Sequence, residues 1–312
     1  MSKLDELLRE LCPHGVEYKK IGKIANYEQP SKYIVESTDY NDAFDVPVLT
    51  AGQTFILGYT NESTGIFRAS KLNPVIIFDD FTGAFKWVDF SFKVKSSAMK
   101  IITASNDVSI RYLFHVMGFL HYSSNEHKRL WIGIYSEFEV PVPPLEIQRE
   151  IVRILDNFTN LTAELTAELT ARKAQYSYYR DKLLTFESRI QLLPLKDIAK
   201  FSYGYTDKAQ EHGDTRFLRI TDIAEDGTMK PEGAKYILLN DESKKYLVKK
   251  GDLLLARTGA TYGKTLYVPD NSPAVYASFL IKIELDNSKI SNRYYWHFSK
   301  SNQYWRQAEK LV

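Results

Sequence analysis

The sequence has 312 residues, of which 44% are hydrophobic and 13% aromatic, a composition typical of a folded chain with about two domains and not of a disordered one. A formal net charge of +2 excludes a polycation, so any nucleic-acid surface must come from local clustering. The single cysteine, Cys12, excludes an internal disulfide and a cysteine-rich zinc site. Neither a long apolar run nor a signal peptide is present, and we expect a cytoplasmic protein without membrane contact.

Residues 1–140 predict a first, strand-rich domain. A short amphipathic helix is predicted over residues 1–12, and a Pro-His-Gly turn ends it. Apolar runs separated by Gly, Asn, Asp and Ser turns predict strands at residues 46–50, 55–59, 74–78, 85–94 and 98–102. A helix is predicted from Ile110 to Tyr122, with Tyr112, Leu113, Val116 and Leu120 facing inward.

Residues 141–187 predict one long helix that separates two domains. Pro143 and Pro144 suit its start because their φ is preset, and neither Pro nor Gly occurs again before Pro194. Apolar residues at spacings of three and four form one face, which predicts coiled-coil packing against another long helix. The predicted packing face comprises Ile151, Ile154, Phe158, Leu161, Leu165, Leu169, Tyr176 and Leu183. The alternative is an ordinary core helix of one large α-domain.

A tandem tetrapeptide lies in the middle of this helix. Thr-Ala-Glu-Leu occurs at residues 162–165 and again at 166–169, so that three successive leucines are each four residues apart. Two spacings of four in a row are a stutter, which locally shifts the seam of a coiled coil. A helix of about 40 residues, at about 1.5 Å per residue, is about 60 Å long, and we expect it to hold the flanking domains apart.

Residues 188–312 predict a second domain that repeats the order of the first. Strands are predicted at residues 216–220, 236–239, 252–256, 265–268 and 275–283, and a final helix begins near Asn292. Lys19, Ile21 and Lys23 correspond to Lys196, Ile198 and Lys200, and the segment Ser109–His115 corresponds to Ser291–His297. Matches in the same order at similar offsets predict an internal duplication. The expected fold class is α+β, with two similar strand-rich domains separated by a long coiled-coil spacer helix.

Candidates for catalysis are weak. The segment Gly259–Thr265 resembles a phosphate-binding loop, but a strand and not a helix is predicted after it, so we interpret it as a turn. Asp79 and Asp80 are adjacent on a strand and would point to opposite faces, so we interpret them as turn or surface acids. The six histidines are scattered. We therefore expect no catalytic centre, no metal site and no cofactor bound by this chain.

Basic and aromatic residues in predicted loops are the candidates for DNA contact. Arg and Lys beside Ser, Thr and Tyr are what phosphate anchoring and major-groove reading require, and an ordinary solvated surface is the alternative for each residue. In the first domain the candidates are Arg68, Lys71, Lys86, Lys93, Lys128 and Arg129. In the second domain they are Tyr203, Tyr205, Lys208, Arg216, Arg219, Arg257, Thr258 and Lys264.

Three segments carry a resemblance to a known family. Pro141-Val-Pro-Pro-Leu-Glu-Ile-Gln-Arg-Glu-Ile-Val-Arg-Ile-Leu-Asp-Asn-Phe158 resembles the central region of type I restriction-modification specificity subunits, where prolines, a leucine and a glutamine open the spacer helix. The segment Gly251–Lys264 is similar to that family's recurrent segment in the target recognition domain, and Gly15–Ile24 resembles its common opening.

The resemblance implies a subunit without catalysis, in which two target recognition domains each read one half of a split double-stranded DNA site. It implies antiparallel spacer helices that bind methyltransferase subunits, which hold S-adenosylmethionine, and motor-nuclease subunits that join for cleavage. Because the sequence ends at Val312 without a second spacer helix, the resemblance implies a C-terminally truncated chain, and we expect self-association through the spacer helix. The alternative function is a coiled-coil scaffold with two protein-binding modules.

Overall fold

The computed structural model describes residues 2–50, 54–120, 122, 128–186 and 193–309. Contacts divide the chain into two compact units, Met1–Leu165 and Thr166–Val312. This division falls inside a long helix, and the domain boundaries expected after residues 140 and 187 remain predictions.

Six α-helices are present in the described part of the chain. They are α1 (Lys3–Leu11), α2 (Ile21–Ile24), α3 (Ile110–Phe119), α4 (Leu145–Leu184), α5 (Asn292–Phe298) and α6 (Asn302–Ala308). The first helix begins where its sequence predicts, because Ser2 and Asp5 form a capping box that satisfies two backbone N–H groups.

Short strands make up most of the rest of both units. In the first unit they are β1 (Tyr18–Lys20), β2 (Ala25–Glu28), β3 (Val46–Leu49), β4 (Ile56–Thr60), β5 (Val75–Asp79), β6 (Phe85–Val88), β7 (Lys93–Val94), β8 (Met99–Ala104) and β9 (Glu139–Pro141). In the second unit they are β10 (Ala199–Tyr203), β11 (Thr215–Leu218), β12 (Tyr236–Ile237), β13 (Leu253–Ala256), β14 (Thr265–Tyr267), β15 (Ala274–Tyr276) and β16 (Leu280–Leu285).

The two units have the same sheet topology. The first unit contains a four-stranded sheet in the order β2-β8-β5-β6 and a three-stranded sheet in the order β4-β3-β7, besides the pair β1-β9. The second unit contains sheets in the orders β10-β16-β13-β14 and β12-β11-β15. Strand β3 pairs in parallel with β7, and β11 pairs in parallel with β15. The strand-for-strand agreement confirms the internal duplication predicted from two short sequence matches.

Each four-stranded sheet buries both of its faces. Ile76 and Phe78 of β5 pack in a core with α3, whereas Val75 and Ile77 pack in a core with residues of β3 and β7. The side chains of β13 alternate in the same way between a core that includes α5 and a core that includes β11. The period of two in a strand thus distributes one apolar run between two cores, which explains why these strands read as continuously hydrophobic.

Helices α3 and α5 begin at the two serines that the repeat aligns. Ser291 precedes α5, and its side chain accepts a hydrogen bond from the Tyr294 backbone N–H at 3.2 Å. Ser109 precedes α3, and its own backbone N–H donates to the Gln148 side-chain oxygen at 2.8 Å.

Helix α4 runs without a break for 40 residues, which confirms the predicted long helix. The carbonyl of Pro144 accepts the N–H groups of Ile147 and Gln148 at 2.9 and 3.1 Å. The buried Gln148 side chain also donates to the carbonyls of Pro143 and Asp107 at 2.8 and 3.0 Å. Gln148 therefore fixes the start of α4 to the first unit, which explains a glutamine four residues after the last proline.

The structure differs from the strand prediction where the chain changes sheets. The apolar runs at residues 85–94 and 275–283 each predict one strand, but each is divided between a four-stranded and a three-stranded sheet, as β6 and β7 and as β15 and β16. Strands β1, β2, β9 and β10 were not predicted, because they are short and rich in polar residues.

Candidate nucleic-acid interface

Arg257 follows β13 directly, and its guanidinium lies beside two exposed aromatic rings. Its Cζ is 5.0 Å from the ring centre of Tyr203 and 5.6 Å from that of Phe279. Tyr203 is 62% exposed and Phe279 is 51% exposed. The Arg257 backbone N–H donates to the Phe279 carbonyl at 3.2 Å, which holds the two strand ends together. Cation–π attraction thus orients a planar cation at the surface.

The turn after Arg257 is held by the last helix. The Tyr304 hydroxyl donates to the Gly263 carbonyl at 2.9 Å. Gly263 has a φ of +78°, and a Cβ there would lie 2.9 Å from the Trp305 ring, so a larger residue would be strained and crowded. Thr258 is exposed in this turn and Lys264 is half-buried at its end, where β14 begins as predicted.

Arg216 and Arg219, which were predicted to contact DNA, bind other parts of the second unit. The Arg219 guanidinium pairs with the buried Asp222 carboxylate, with both N–O distances at 3.0 Å, and donates to the Gly233 carbonyl at 2.8 Å. Arg216 donates to the Lys230 carbonyl at 2.7 Å. Both guanidiniums hold the segment between β11 and β12, and a DNA contact for either remains a prediction.

Tyr205 is half-buried, whereas Lys208 is exposed. The Tyr205 ring centre lies 5.5 Å from that of Tyr246, and its hydroxyl accepts a hydrogen bond from the Asn240 amide at 3.3 Å. Tyr205 therefore packs within the second unit, and only Lys208 of the two offers a fully solvated group.

Five of the six cations predicted in the first unit are exposed. These residues are Arg68, Lys71, Lys86, Lys128 and Arg129. Lys71 lies in a tight turn, because the backbones of Ser70 and Asn73 exchange two hydrogen bonds of 3.1 and 3.0 Å on either side of it.

The sixth cation, Lys93, is buried, so the prediction that it contacts DNA is corrected. Its side chain is 3% exposed, and its ammonium lies 2.6 Å from a Glu62 carboxylate oxygen and donates to the Thr64 carbonyl at 2.8 Å. A buried ammonium needs such partners, because an unpaired charge in an apolar surrounding is strongly unfavourable. Lys93 therefore does not face a duplex in this structure, and we remove it from the candidate interface.

Asp79, at the end of β5, and Asp80, in the turn that follows, are both buried. Asp79 accepts the backbone N–H groups of Phe81 and Thr82 at 2.9 and 3.3 Å. Asp80 is 2% exposed, lies 3.3 Å from the Lys100 ammonium, and accepts the Trp131 backbone N–H at 2.9 Å. Of the two alternatives, turn or surface acid, a turn position applies to Asp80, and neither acid lies at the surface.

The predicted packing face of α4 is mostly open to solvent. Ile151 packs against the core of the first unit, and Ile154 is half-buried. The other six side chains are between 40% and 69% exposed: Phe158, Leu161, Leu165, Leu169, Tyr176 and Leu183. Large exposed apolar patches are uncommon on monomers, so this face is a candidate surface for another protein chain.

An ionic cluster joins α3 to α4 in the first unit. Arg111 Nε and Nη2 lie 2.9 and 2.8 Å from Asp156 Oδ1, and His115 Nε2 lies 2.8 Å from the same oxygen. The Arg111 guanidinium also lies 4.8 Å from the Trp87 ring centre. Burial raises the pKa of Asp156, but the hydrogen bonds from Arg111 and His115 outweigh it, so the pKa lies below its usual value.

The matching cluster on α5 has a different arrangement. Arg293 lies 4.8 Å from the Tyr267 ring centre, as Arg111 does from Trp87, but has no ion pair within the described residues. His297 is hydrogen-bonded through Nδ1 to the Tyr176 hydroxyl at 2.7 Å. Burial, followed by the nearby charges of Lys300, Arg293 and Arg180, lowers the pKa of His297. Arg293 and Arg111 thus each have an aromatic neighbour, but only Arg111 has a carboxylate partner within the described residues.

Two important residues were missed by sequence reasoning. Phe279 opens an apolar run, a pattern that indicates a core position, and only the strand pairing shows that it lies at the exposed end of β16. Gln148 was noticed as part of a family pattern, but its buried hydrogen bonds to the backbone depend on tertiary structure.

In the described ranges no helix is long and apolar enough to cross a membrane, and no cluster of three or more His, Cys, Asp or Glu side chains could hold a metal ion.

The duplicated fold agrees with comparisons to known proteins. The chain belongs to the family described as the type I restriction modification DNA specificity domain, which matches residues 13–172 and 188–310. It is similar to the type I restriction enzyme EcoR124I/EcoR124II specificity subunit of Escherichia coli, with 50% identity over 218 residues that make up 66% of this chain and 54% of that protein. The chain thus spans about half the length of this relative.

Two further similarities extend over most of the chain. A putative type I restriction enzyme specificity subunit of Haemophilus influenzae is 28% identical over 310 residues, which cover 91% of this chain and 76% of that protein. The crystal structure of the S subunit of a type I restriction-modification system from M. genitalium aligns with a TM-score of 0.63 at 13% identity, over 96% of this chain and 79% of that one. This structural likeness concerns the fold alone.

Proposed function

We propose that this chain is a DNA-recognition subunit of a type I restriction-modification complex, and that each unit reads one half of a bipartite double-stranded site. The observation that carries the proposal is the repetition of one strand-rich fold in two units whose described parts are joined by the unbroken helix α4. A protein that must read two separated sequences needs two reading surfaces and a fixed connection between them. Family membership supports the same role.

The exposed cations support contact with a nucleic-acid backbone. Arg68, Lys71 and Lys86 in the first unit and Lys208 and Arg257 in the second are exposed side chains. Such groups neutralise phosphates and orient a protein on a duplex, while groups that reach base edges supply sequence preference. The proposed role is recognition, and the chemistry belongs to other subunits of the complex.

The exposed face of α4 is the proposed docking surface for those subunits. Phe158, Leu161, Leu165 and Leu169 present an apolar stripe that a second long helix would cover. Methyltransferase subunits, which bind S-adenosylmethionine, would dock on the spacer region, and motor-nuclease subunits would join them for cleavage. A second copy of this chain is the other proposed occupant of this face. The whole complex would act in the cytoplasm.

Salt dependence of binding tests the proposal. We expect the chain, purified with its methyltransferase partner, to bind a specific duplex with an affinity that falls steeply as salt is added, because each neutralised phosphate contributes about −0.9 to the slope of log K against log salt. Arg68→Ala combined with Lys71→Ala should make that slope shallower by about one for each phosphate that the variant no longer neutralises. Lys245→Ala removes an exposed cation outside the candidate set and should leave the slope unchanged.

Absence of salt-sensitive binding to any duplex, with the partner present, would contradict the proposal. Capture of protein ligands by both units under those conditions would favour the alternative of a coiled-coil scaffold with two protein-binding modules.

A further inference from the structure

The side chain of Arg257 is free to hydrogen-bond a ligand. No described residue accepts a hydrogen bond from its guanidinium or forms an ion pair with it, although the chain carries many acids. Tyr203 and Phe279 contact it through their ring faces, which do not use its N–H donors. A guanidinium presents five N–H donors in one plane, so stacking restricts the orientation of that plane and leaves its edges available.

The backbone beneath this cluster is rigidly paired. The Arg257 N–H donates to the Phe279 carbonyl at 3.2 Å, and the neighbouring Ala256 N–H donates to the Lys264 carbonyl at 2.9 Å. Tyr203 ends β10, which pairs along its length with β16. Tyr203 thus ends β10, Arg257 directly follows β13 and Phe279 directly precedes β16, so all three residues lie at one edge of a hydrogen-bonded sheet.

The equivalent position in the first unit has opposite chemistry. Phe78 of β5 and Leu255 of β13 occupy the same place in their sheets, and Asp80 and Arg257 each lie two residues later. The equivalence is supported by a shared hydrogen bond, since Asp80 N–H donates to the Ala98 carbonyl at 3.1 Å just as Arg257 N–H donates to that of Phe279.

Asp80 cannot act as Arg257 does. It is 2% exposed and is paired with Lys100, which is itself 1% exposed. The first unit thus uses this position for its core, whereas the second unit presents an oriented cation at the surface. Packing of the second unit does not require that cation, because its neighbours are two exposed rings.

We propose that Arg257 reads a guanine through the O6 and N7 acceptors of its major-groove edge, and that Tyr203 and Phe279 are positioning residues that hold the guanidinium plane. The two parallel N–H donors of an oriented guanidinium match these two acceptors, and a lysine ammonium does not reproduce that planar geometry. The inference rests on the proposed function, and it adds that the half-site of the second unit contains a guanine for which the first unit has no equivalent reader at this position.

Base-permuted duplexes test the inference. The wild-type chain with its methyltransferase partner is first measured against duplexes in which each base pair of the second half-site is replaced in turn. Arg257→Lys keeps the charge but loses the planar pair of donors, so we expect preference for guanine at one position to fall by roughly tenfold or more. Preference at the other positions and the salt slope should stay as in the wild type.

Substitution of the two positioning residues should change base preference at a single position. Phe279→Leu and Tyr203→Leu remove the rings but leave Arg257 in place, and each should weaken preference at that same position only. Lys245→Met is the matched control and should change no preference. A loss of folding would appear as weaker binding to every duplex together with a lower unfolding temperature, which Arg257→Lys, at an exposed site, should not show.

The outcomes separate the inference from the proposed function. A wild-type complex that shows no base preference at all contradicts the proposed function. A wild-type complex that is selective but has no guanine in its second half-site, or whose Arg257→Lys variant keeps full preference for guanine, contradicts the inference alone. A uniform loss of affinity across all duplexes in Arg257→Lys would assign the residue to phosphate contact and also overturn the inference.

Discussion

The guanidinium of Arg111 donates a hydrogen bond of 2.9 Å from Nε to a carboxylate oxygen of Asp156, and its Nη2 lies 2.8 Å from the same oxygen in an ion pair. Arg111 lies on α3 and Asp156 lies on the fourth turn of α4, so the pair attaches the first part of the long helix to the rest of the first unit. His115 adds a third contact to that carboxylate at 2.8 Å. The start of α4 is therefore fixed by an ionic cluster as well as by the buried Gln148.

Asp156→Ala should loosen this attachment. The substitution leaves Arg111 and His115 without their acceptor, and we expect the free energy of unfolding of the first unit to fall by about 1–2 kcal/mol, a range reduced because solvent screens the partly exposed pair. Glu164→Ala removes an exposed acid from the same helix and should cost much less. Chemical denaturation of both variants measures the difference, and equal stabilities would show that the cluster does not hold the helix.

The surroundings of His297, which is hydrogen-bonded to Tyr176, predict that the stability of the folded chain depends on pH. The pKa of His297 is lowered from the ordinary value of 6.5, mainly by burial and then by the charges of Lys300, Arg293 and Arg180. The unfolded chain therefore takes up a proton at a higher pH than the folded chain. The contribution of His297 to stability is fully present above its unfolded pKa and is lost as pH falls through the folded pKa.

Nuclear magnetic resonance titration of the His297 ring measures this shift directly. We expect a midpoint below 6.5, and His297→Gln should make the stability of the second unit less sensitive to acid in that range. A midpoint for His297 above the ordinary value would show that its surroundings favour the imidazolium.

The apolar stripe on α4 should control association. Leu161, Leu165 and Leu169 are 49%, 57% and 56% exposed, and covering them in a second helix removes apolar surface from water. We expect the isolated chain to self-associate, and replacement of the three leucines by Gln to yield a monomer that no longer binds the methyltransferase partner. Glu164→Gln with Glu168→Gln alters the same stretch without touching the stripe. Sedimentation of a monodisperse wild-type monomer would contradict this prediction.

The tandem tetrapeptide should set the gap between the half-sites. Four helical residues add about 6 Å of rise and about 40° of rotation beyond a full turn, while one base pair adds about 3.4 Å and about 34°. The residues Thr, Ala, Glu and Leu are mostly good helix formers, and α4 is unbroken through both copies, so another copy is compatible with the helix. We expect a third copy to lengthen the unread gap by about one base pair.

Sequencing of methylated sites from chains with one, two and three copies of the tetrapeptide measures the gap. The half-site sequences should stay the same, because neither unit is altered. Changed half-sites with a constant gap would show that α4 is a scaffold and does not determine the spacing.

Local and periodic features of the fold could be predicted from the sequence. Helix α3, the unbroken α4 and most strands follow from apolar spacing, from the absence of Pro and Gly, and from apolar runs. The division of residues 85–94 into two strands could not be predicted, because an apolar run shows burial but not which of two sheets a residue joins.

Individual site residues depended on contacts between distant parts of the chain. Lys93 is buried because Glu62, 31 residues earlier, folds back onto it, and no local pattern indicates that pairing. Arg257 was selected because it flanks the two glycines of a predicted turn, but its orientation depends on Tyr203 and Phe279, which only strand pairing brings near. A charged residue in a predicted loop is thus a candidate site residue. Whether its side chain is available to a ligand can be seen only in the structure.

The central claim is that two similar units read two separate DNA sequences. Its most direct test is to incubate the chain, with its methyltransferase partner, with a random pool of duplexes and to sequence those retained at increasing salt. The account predicts two short enriched sequences at one fixed separation, with unselected bases between them. One of the two half-sites should change when the second unit is altered, and that half-site should contain a guanine. Retention without enrichment, or enrichment of one continuous sequence, would contradict it.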